Sequence, residues 1–221
     1  MIPLRSTERV YSRTTVTIGL IAVNIAVFLF QAAMNPYQLD QFVNQWGIVP
    51  DQLRLVTLFT SMFLHGGWLH LLGNMLFLWV FGRSIEDLIG GPKFLLFYIL
   101  CGLIAAVVQV IVNPYSRVPT IGASGAIAGV MGAYLLKFPR SRIVTLVPVF
   151  VFITTMEIPA AIILIYWLVV QFFSGIGSLA QTDYTGGGVA WFAHIGGFLG
   201  GMLLIKLFPP RPRFRNWYEP D

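Results

Sequence analysis

Charge is what this sequence has least of. Only 10% of its 221 residues are charged, against about 25% in ordinary soluble domains. With 57% of residues hydrophobic, the chain holds more apolar side chains than one water-facing domain can bury. Cysteine is nearly absent. Cys101 stands alone, which excludes an internal disulfide, and it reads as a small packing residue. Histidine is almost as rare, with three residues, and no His-Glu-x-x-His metalloprotease motif occurs. There is no internal repeat and no low-complexity tract. No cleavable leader is expected either. Residues 1–15 are polar and basic, and the first apolar run is long enough to remain as a span. The net charge of +5 does not imply nucleic acid, because basic residues in a membrane protein report orientation.

What is there is a series of apolar runs close to the roughly 20 residues that cross a bilayer as a helix. Six are expected, at 16–33, 69–81, 94–112, 121–138, 160–179 and 189–208, the second with an alternative start near Leu58. The connection 34–57 is half apolar, with Phe42, Trp46, Ile48 and Leu53, and suits a loop in the headgroup region. The stretch 142–156 is ambiguous, being rich in Val, Ile, Phe and Thr and interrupted by Pro148. Charge decides its reading. With six spans and the N-terminus inside, one side collects Arg5, Arg9, Arg13, Arg83, Lys93, Lys137, Arg140, Arg142, Lys206, Arg211, Arg213 and Arg215. The other side holds only Arg54 and Arg117. A seventh span at 142–156 would move the last four basic residues across and erase that asymmetry. The expectation is therefore an all-α polytopic bundle of six transmembrane helices with both termini cytoplasmic. It has a tail at 1–15, a membrane core at 16–208 and a second tail at 209–221. The stretch 142–156 becomes an interfacial hairpin or a shallow re-entrant piece.

Polar residues deep in an apolar helix are functional candidates by default. Ser124 lies in Gly122-Ala123-Ser124-Gly125 at the head of span four. Gly125, Gly129 and Ala133 form a small-residue stripe that explains itself as helix packing. A serine at a helix N-terminus is also a nucleophile beside free backbone N–H groups, which can hold an oxyanion. His194 heads span six beside a second stripe, Ala193, Gly197 and Gly201. It can be a helix-bonding histidine. Two facing stripes would instead bring it against Ser124, and neutral histidine is a natural base for a serine hydroxyl. His70 and Asn74 are four residues apart, so they share one helix face, and both can donate hydrogen bonds. They read either as a polar seam between helices or as side-chain donors of an oxyanion hole. His65 need not share that face and is a secondary candidate, as is Gly122. Spans two, four and six start on one side, which places Asn74, Ser124 and His194 about 6–9 Å below one surface. No acidic residue is available to orient the histidine, so the site reads as a Ser–His dyad, slower than a soluble triad enzyme.

These residues resemble the rhomboid family of intramembrane serine proteases. The resemblance rests on the segments 65–74, 122–125 and 193–197, with Glu86 and Gly90 after the second span, and it extends over the membrane core. It implies a six-helix rhomboid-like fold with a water-filled cavity open to the outer side. Ser124 would be the nucleophile and His194 the general base. His70, Asn74 and the Ser124 backbone would hold the oxyanion. The substrate would be a transmembrane segment of another protein, cut near its outer end, with small and helix-weakening residues favoured. Loop 35–56 would be partly embedded. Span five and loop 180–188, hinged at Gly186, Gly187 and Gly188, would form gate and cap. Two departures stand out. Trp46 and Arg54 occur apart in the first loop, and Ala128 stands where some relatives stack an aromatic ring on the histidine.

The expected partners are transmembrane substrates and the lipid bilayer, with no cofactor and no resident metal. The expected seat is a prokaryotic plasma membrane. Three competing readings have discriminating features. A zinc site would gather His65, His70 and His194 and leave the serine motif idle. A non-cutting rhomboid-like scaffold would usually lack the dyad. A transporter would carry buried acidic residues and paired broken helices, which this sequence lacks.

Overall fold

A computed structural model describes residues 2–149, 152–179 and 190–212. The chain is mainly helical. Helix α1 (Thr15–Ala32) is followed by α2 (Pro36–Trp46), the single turn α3 (Thr57–Thr60), α4 (Trp68–Phe77) and α5 (Arg83–Ile89). Then come α6 (Gly91–Val112), α7 (Ser124–Lys137), α8 (Ala160–Leu179) and α9 (Trp191–Leu204). A π-helical turn, Leu78–Gly82, joins α4 to α5 without ending the rod.

By length and composition α1, α6 and α8 are each able to cross a membrane. The segments Thr57–Phe63 and Trp68–Ile89, bent by 95°, make a fourth candidate if counted as one. Helices α7 and α9 have 14 residues each, or about 21 Å of rise against a hydrocarbon layer of about 30 Å. The expectation of six spans thus meets helices of unequal length. The reason lies in burial. Every residue from Gly125 to Tyr134 of α7 is buried, so this helix faces protein all round and needs no lipid-matched length. It packs most heavily on α9, and both pack on α6.

The expectation of an all-helical chain is corrected by a three-stranded antiparallel sheet. Strand β1 (Ile2–Ser6) pairs with β2 (Arg142–Val149), which pairs with β3 (Phe152–Pro159). The β-branched residues of 142–159 suit a strand, and two of them pair Val144 with Glu157 and Ile143 with Ile158. Pro148 lacks an N–H but lies beyond Leu146, the last residue of β2 that β1 reaches, so its missing donor disrupts no ladder on that side. The ambiguous stretch is therefore a β-hairpin, and the N-terminal segment is recruited as its third strand. Segment 34–57 also gains order. Helix α2 opens with Asn35 and Gln38 in a reciprocal capping box.

Two acidic residues fix the sheet end. The Glu86 carboxylate accepts from Val16 N–H (2.9 Å), Thr17 N–H (2.7 Å) and Thr17 Oγ1 (2.7 Å), capping the start of α1. Asp87 accepts from the N–H groups of Tyr11 and Ser12, both at 2.9 Å, and from the Ser12 hydroxyl. Gly90 has φ +95°, and a Cβ there would lie 2.8 Å from Arg211 Nε. Loop 180–188 and the tail beyond 212 lie outside the described residues.

Candidate active site

The site stands where α7, α8 and α9 meet, and its closeness comes from glycine. A Cβ on Gly197 would fall 2.1 Å from Gly125 O, and one on Gly201 would fall 2.1 Å from Gly129 O. Only bare backbone permits α7 and α9 to touch in this way. That contact brings Ser124 Oγ to 2.7 Å from His194 Nε2. His194 is 8% exposed and Ser124 is partly exposed. The two facing stripes expected from the sequence do meet, and the two side chains come together.

Ser124 is the first residue of α7, so its N–H is one of the first-turn donors that a helix leaves without intrahelical partners. Gly122, with φ +126°, turns the chain into that helix, and its N–H is held by Ser61 O at 2.8 Å. A Cβ at Gly122 would lie 2.8 Å from His70 Nε2 and 3.6 Å from Ser124 Oγ, so the His70 ring stands directly beside the serine motif. The Gly66 N–H donates to His70 Nδ1 at 3.3 Å. An Nδ1 that accepts leaves the ring proton on Nε2, as a donor pointed toward the Gly122 side. Asn74 is buried, and among the described residues its Nδ2 has no hydrogen-bond partner. Helix α4, which carries it, packs on α7. His65 is buried edge-on against His70, with ring centroids 5.1 Å apart. Its backbone is tied to Gln31, which accepts from His65 N–H at 3.0 Å and donates to His65 O at 3.2 Å. His194 thus pairs with Ser124 instead of gathering with His65 and His70. Among the described residues no three His, Cys, Asp or Glu side chains form a metal-holding group.

A cavity of about 30 Å³ adjoins Ser124, lined in part by Met62, Gly102, Ala105, Gly122 and Gly125. That is room for a water or two, or for a small side chain.

Sequence reasoning missed a set of glutamines. Gln171 of α8 is buried, and its Oε1 lies 2.6 Å from His194 Nδ1. Gln109 of α6 accepts from Ala193 N–H at 3.2 Å, one residue before the histidine. Gln31 holds the backbone of His65, as above. Gln109 and Gln171 are each the one amide of an apolar helix, and that isolation was the available signal. Ala128 offers no ring to His194. Trp167 of α8 supplies one, 5.6 Å away with the planes 38° apart.

Chemically, a serine hydroxyl on an imidazole nitrogen, beside backbone and side-chain N–H donors, is an arrangement for acyl transfer. The family description "Rhomboid domain" matches residues 52–211. "Rhomboid protease GluP" of Bacillus subtilis is 33% identical over 145 residues, 65% of this chain and 24% of that protein. "RHOMBOID-like protein 7" of Arabidopsis thaliana is 29% identical over 174 residues, 79% of this chain and 49% of that protein. "Rhomboid protein 1, mitochondrial" of Saccharomyces cerevisiae is 28% identical over 192 residues, 84% of this chain and 51% of that protein. The chain spans about half the length of these relatives or less. Its apolar helices and this match make it an integral membrane protein. With well over half of its residues inside the match, the chain belongs to the rhomboid family.

Proposed function

We propose that this protein is an intramembrane serine endopeptidase that cuts transmembrane segments of other membrane proteins near their outer end. The observation that carries the reading is the 2.7 Å contact between Ser124 Oγ and His194 Nε2 at the joint of two glycine-packed helices. In the reaction His194 Nε2 takes the proton of Ser124 as Oγ attacks the peptide carbonyl. The resulting oxyanion takes hydrogen bonds from the Ser124 N–H, His70 Nε2–H and Asn74 Nδ2–H. His194 then returns the proton to the leaving amine, and a water activated by the same nitrogen hydrolyses the acyl-enzyme. A helical substrate hides its carbonyls in i to i−4 bonds, so it must unwind locally first. Helix-weakening residues near the cut promote that step. The small-walled cavity next to Ser124 favours a small side chain there.

In this reading six helical segments span the bilayer, both termini face the cytoplasm, and the site opens to the outer side. The core runs over 16–208, between tails at 1–15 and 209–221. The basic residues support that orientation, because among the described residues all but Arg54 and Arg117 fall on the sheet side. A bacterial plasma membrane is the proposed seat.

The test is cleavage of a reporter carrying a transmembrane segment by purified wild type, Ser124→Ala and His194→Ala. The expected result is activity in the first alone, with a fluorophosphonate labelling Ser124. Equal cleavage by all three, or labelling at another residue, ends the assignment.

A further inference from the structure

Among the described residues no carboxylate bonds the dyad, so another group must choose which imidazole nitrogen carries the proton. A ring with its proton on Nε2 would present an N–H to Ser124 and could not act as its base. Among the described residues one group stands at the other nitrogen. Gln171 Oε1 lies 2.6 Å from His194 Nδ1, and the Gln171 side chain is 5% exposed. A carbonyl oxygen only accepts. At that distance it requires a proton on Nδ1, which leaves Nε2 with its lone pair facing Ser124 Oγ 2.7 Å away.

We propose that Gln171 is the positioning residue of the base: its side-chain carbonyl holds His194 Nδ1–H and so fixes both the tautomer and the plane of the ring. The proposal rests on the Ser124–His194 reading above. Trp167 completes the hold. It lies one turn before Gln171 on the same face of α8, with its ring against that of His194. Together they grip the imidazole from one helix while the backbone of α9 carries it. The choice of an amide follows from the surroundings. Helix α8 turns Ile162, Ile165, Val169, Phe172 and Phe173 outward and carries no charged residue. A carboxylate in such a helix would carry a heavy desolvation penalty. An amide supplies the same acceptor without a charge, and it stabilises the imidazolium formed during attack less than a carboxylate would.

Isosteric variants of the full chain test this. Gln171→Met keeps length and removes the acceptor. Gln171→Glu keeps length and, when ionised, has only acceptors, so it enforces the same tautomer whichever way the group turns. In purified protein with a transmembrane reporter, Gln171→Met is expected to lower kcat about 10- to 100-fold with KM nearly unchanged. Gln171→Glu restores most of that loss. Fluorophosphonate labelling of Ser124 slows in parallel with kcat. In ¹⁵N-histidine spectra His194 is protonated at Nδ1 in wild type and Gln171→Glu and is a tautomer mixture in Gln171→Met. Three results overturn the proposal: wild-type kcat in Gln171→Met, equal losses in both variants, or a loss seen only in KM or melting temperature. Ser124→Ala separates the two levels. If it still cleaves, the dyad reading falls and takes this proposal with it. If it is dead while Gln171→Met is fully active, the proposal alone falls.

Discussion

In the proposed reaction Asn74 would serve chemistry at the expense of stability. Its Nδ2 is buried and, among the described residues, makes no hydrogen bond. An unsatisfied buried donor costs about 1–3 kcal/mol. A donor left in that state fits a group whose partner is a charge that exists only during reaction. Asn74→Leu is therefore expected to leave the melting temperature unchanged or raise it, while lowering kcat by about 10²–10³-fold with little change in KM. Thermal denaturation in detergent beside steady-state cleavage checks both halves. A variant that loses stability along with activity would mark Asn74 as a structural seam. His70 was legible in the sequence for a simple reason: its spacing to Asn74 puts both on one helical face. Gln171 was not legible in that way. It belongs to no motif, and its meaning depends on which helix packs beside α8.

At the scale of elements, the decisive feature is the contact of α7 with α9, and the sequence displayed it. Small residues at four-residue spacing on both segments predicted a close crossing, and the bare-backbone contacts at Gly197 and Gly201 are its physical form. Adding one methyl to Gly201 puts a Cβ 2.1 Å from Gly129 O, whereas ordinary contact begins at 3.4 Å. The helices must part by roughly 1 Å, and a reacting geometry displaced by 1 Å loses about 10²-fold in rate. Gly201→Ala is thus expected to cost about 1–3 kcal/mol of stability by overpacking. It should also lower kcat by about 10²-fold. Gly19→Ala in α1 is the control. Nothing lies within 4 Å of its new methyl, and helix propensity gains up to about 1 kcal/mol. Wild-type activity in Gly201→Ala would show that the site tolerates separation of its helices. The sheet was less legible than the stripes. Ile2–Ser6 and Arg142–Val149 are far apart in sequence, and strand pairing over such distances leaves no local pattern. The hairpin itself announced only its β-branched composition, which suited several fates.

For the molecule as a whole, the proposed orientation makes the two ends chemically different. The sheet end gathers β1, the Glu86 and Asp87 anchors, the C-terminus of α7 and Arg211, whose N–H donates to Leu88 O at 2.9 Å. The site end gathers the N-termini of α4, α7 and α9, tied by Gln31, Gln109 and the Ile48–Thr120 bridge. Helix α6, with 22 residues, separates them by about 33 Å. The expectation of which end is cytoplasmic rests on basic residues alone, and it can be tested directly. Cys101 is fully buried, so the native protein is silent to a membrane-impermeant thiol reagent. Tyr115, 87% exposed, follows α6 at the site end, and Arg140, also exposed, follows α7 at the sheet end. In right-side-out vesicles Tyr115→Cys is expected to be labelled from outside, and Arg140→Cys only after permeabilisation. Labelling of both from one face would mean that α7 does not carry the chain across, and the positive-inside argument would fail with it. The reverse pattern would turn the site toward the cytoplasm, and substrates would then be cut at their inner end.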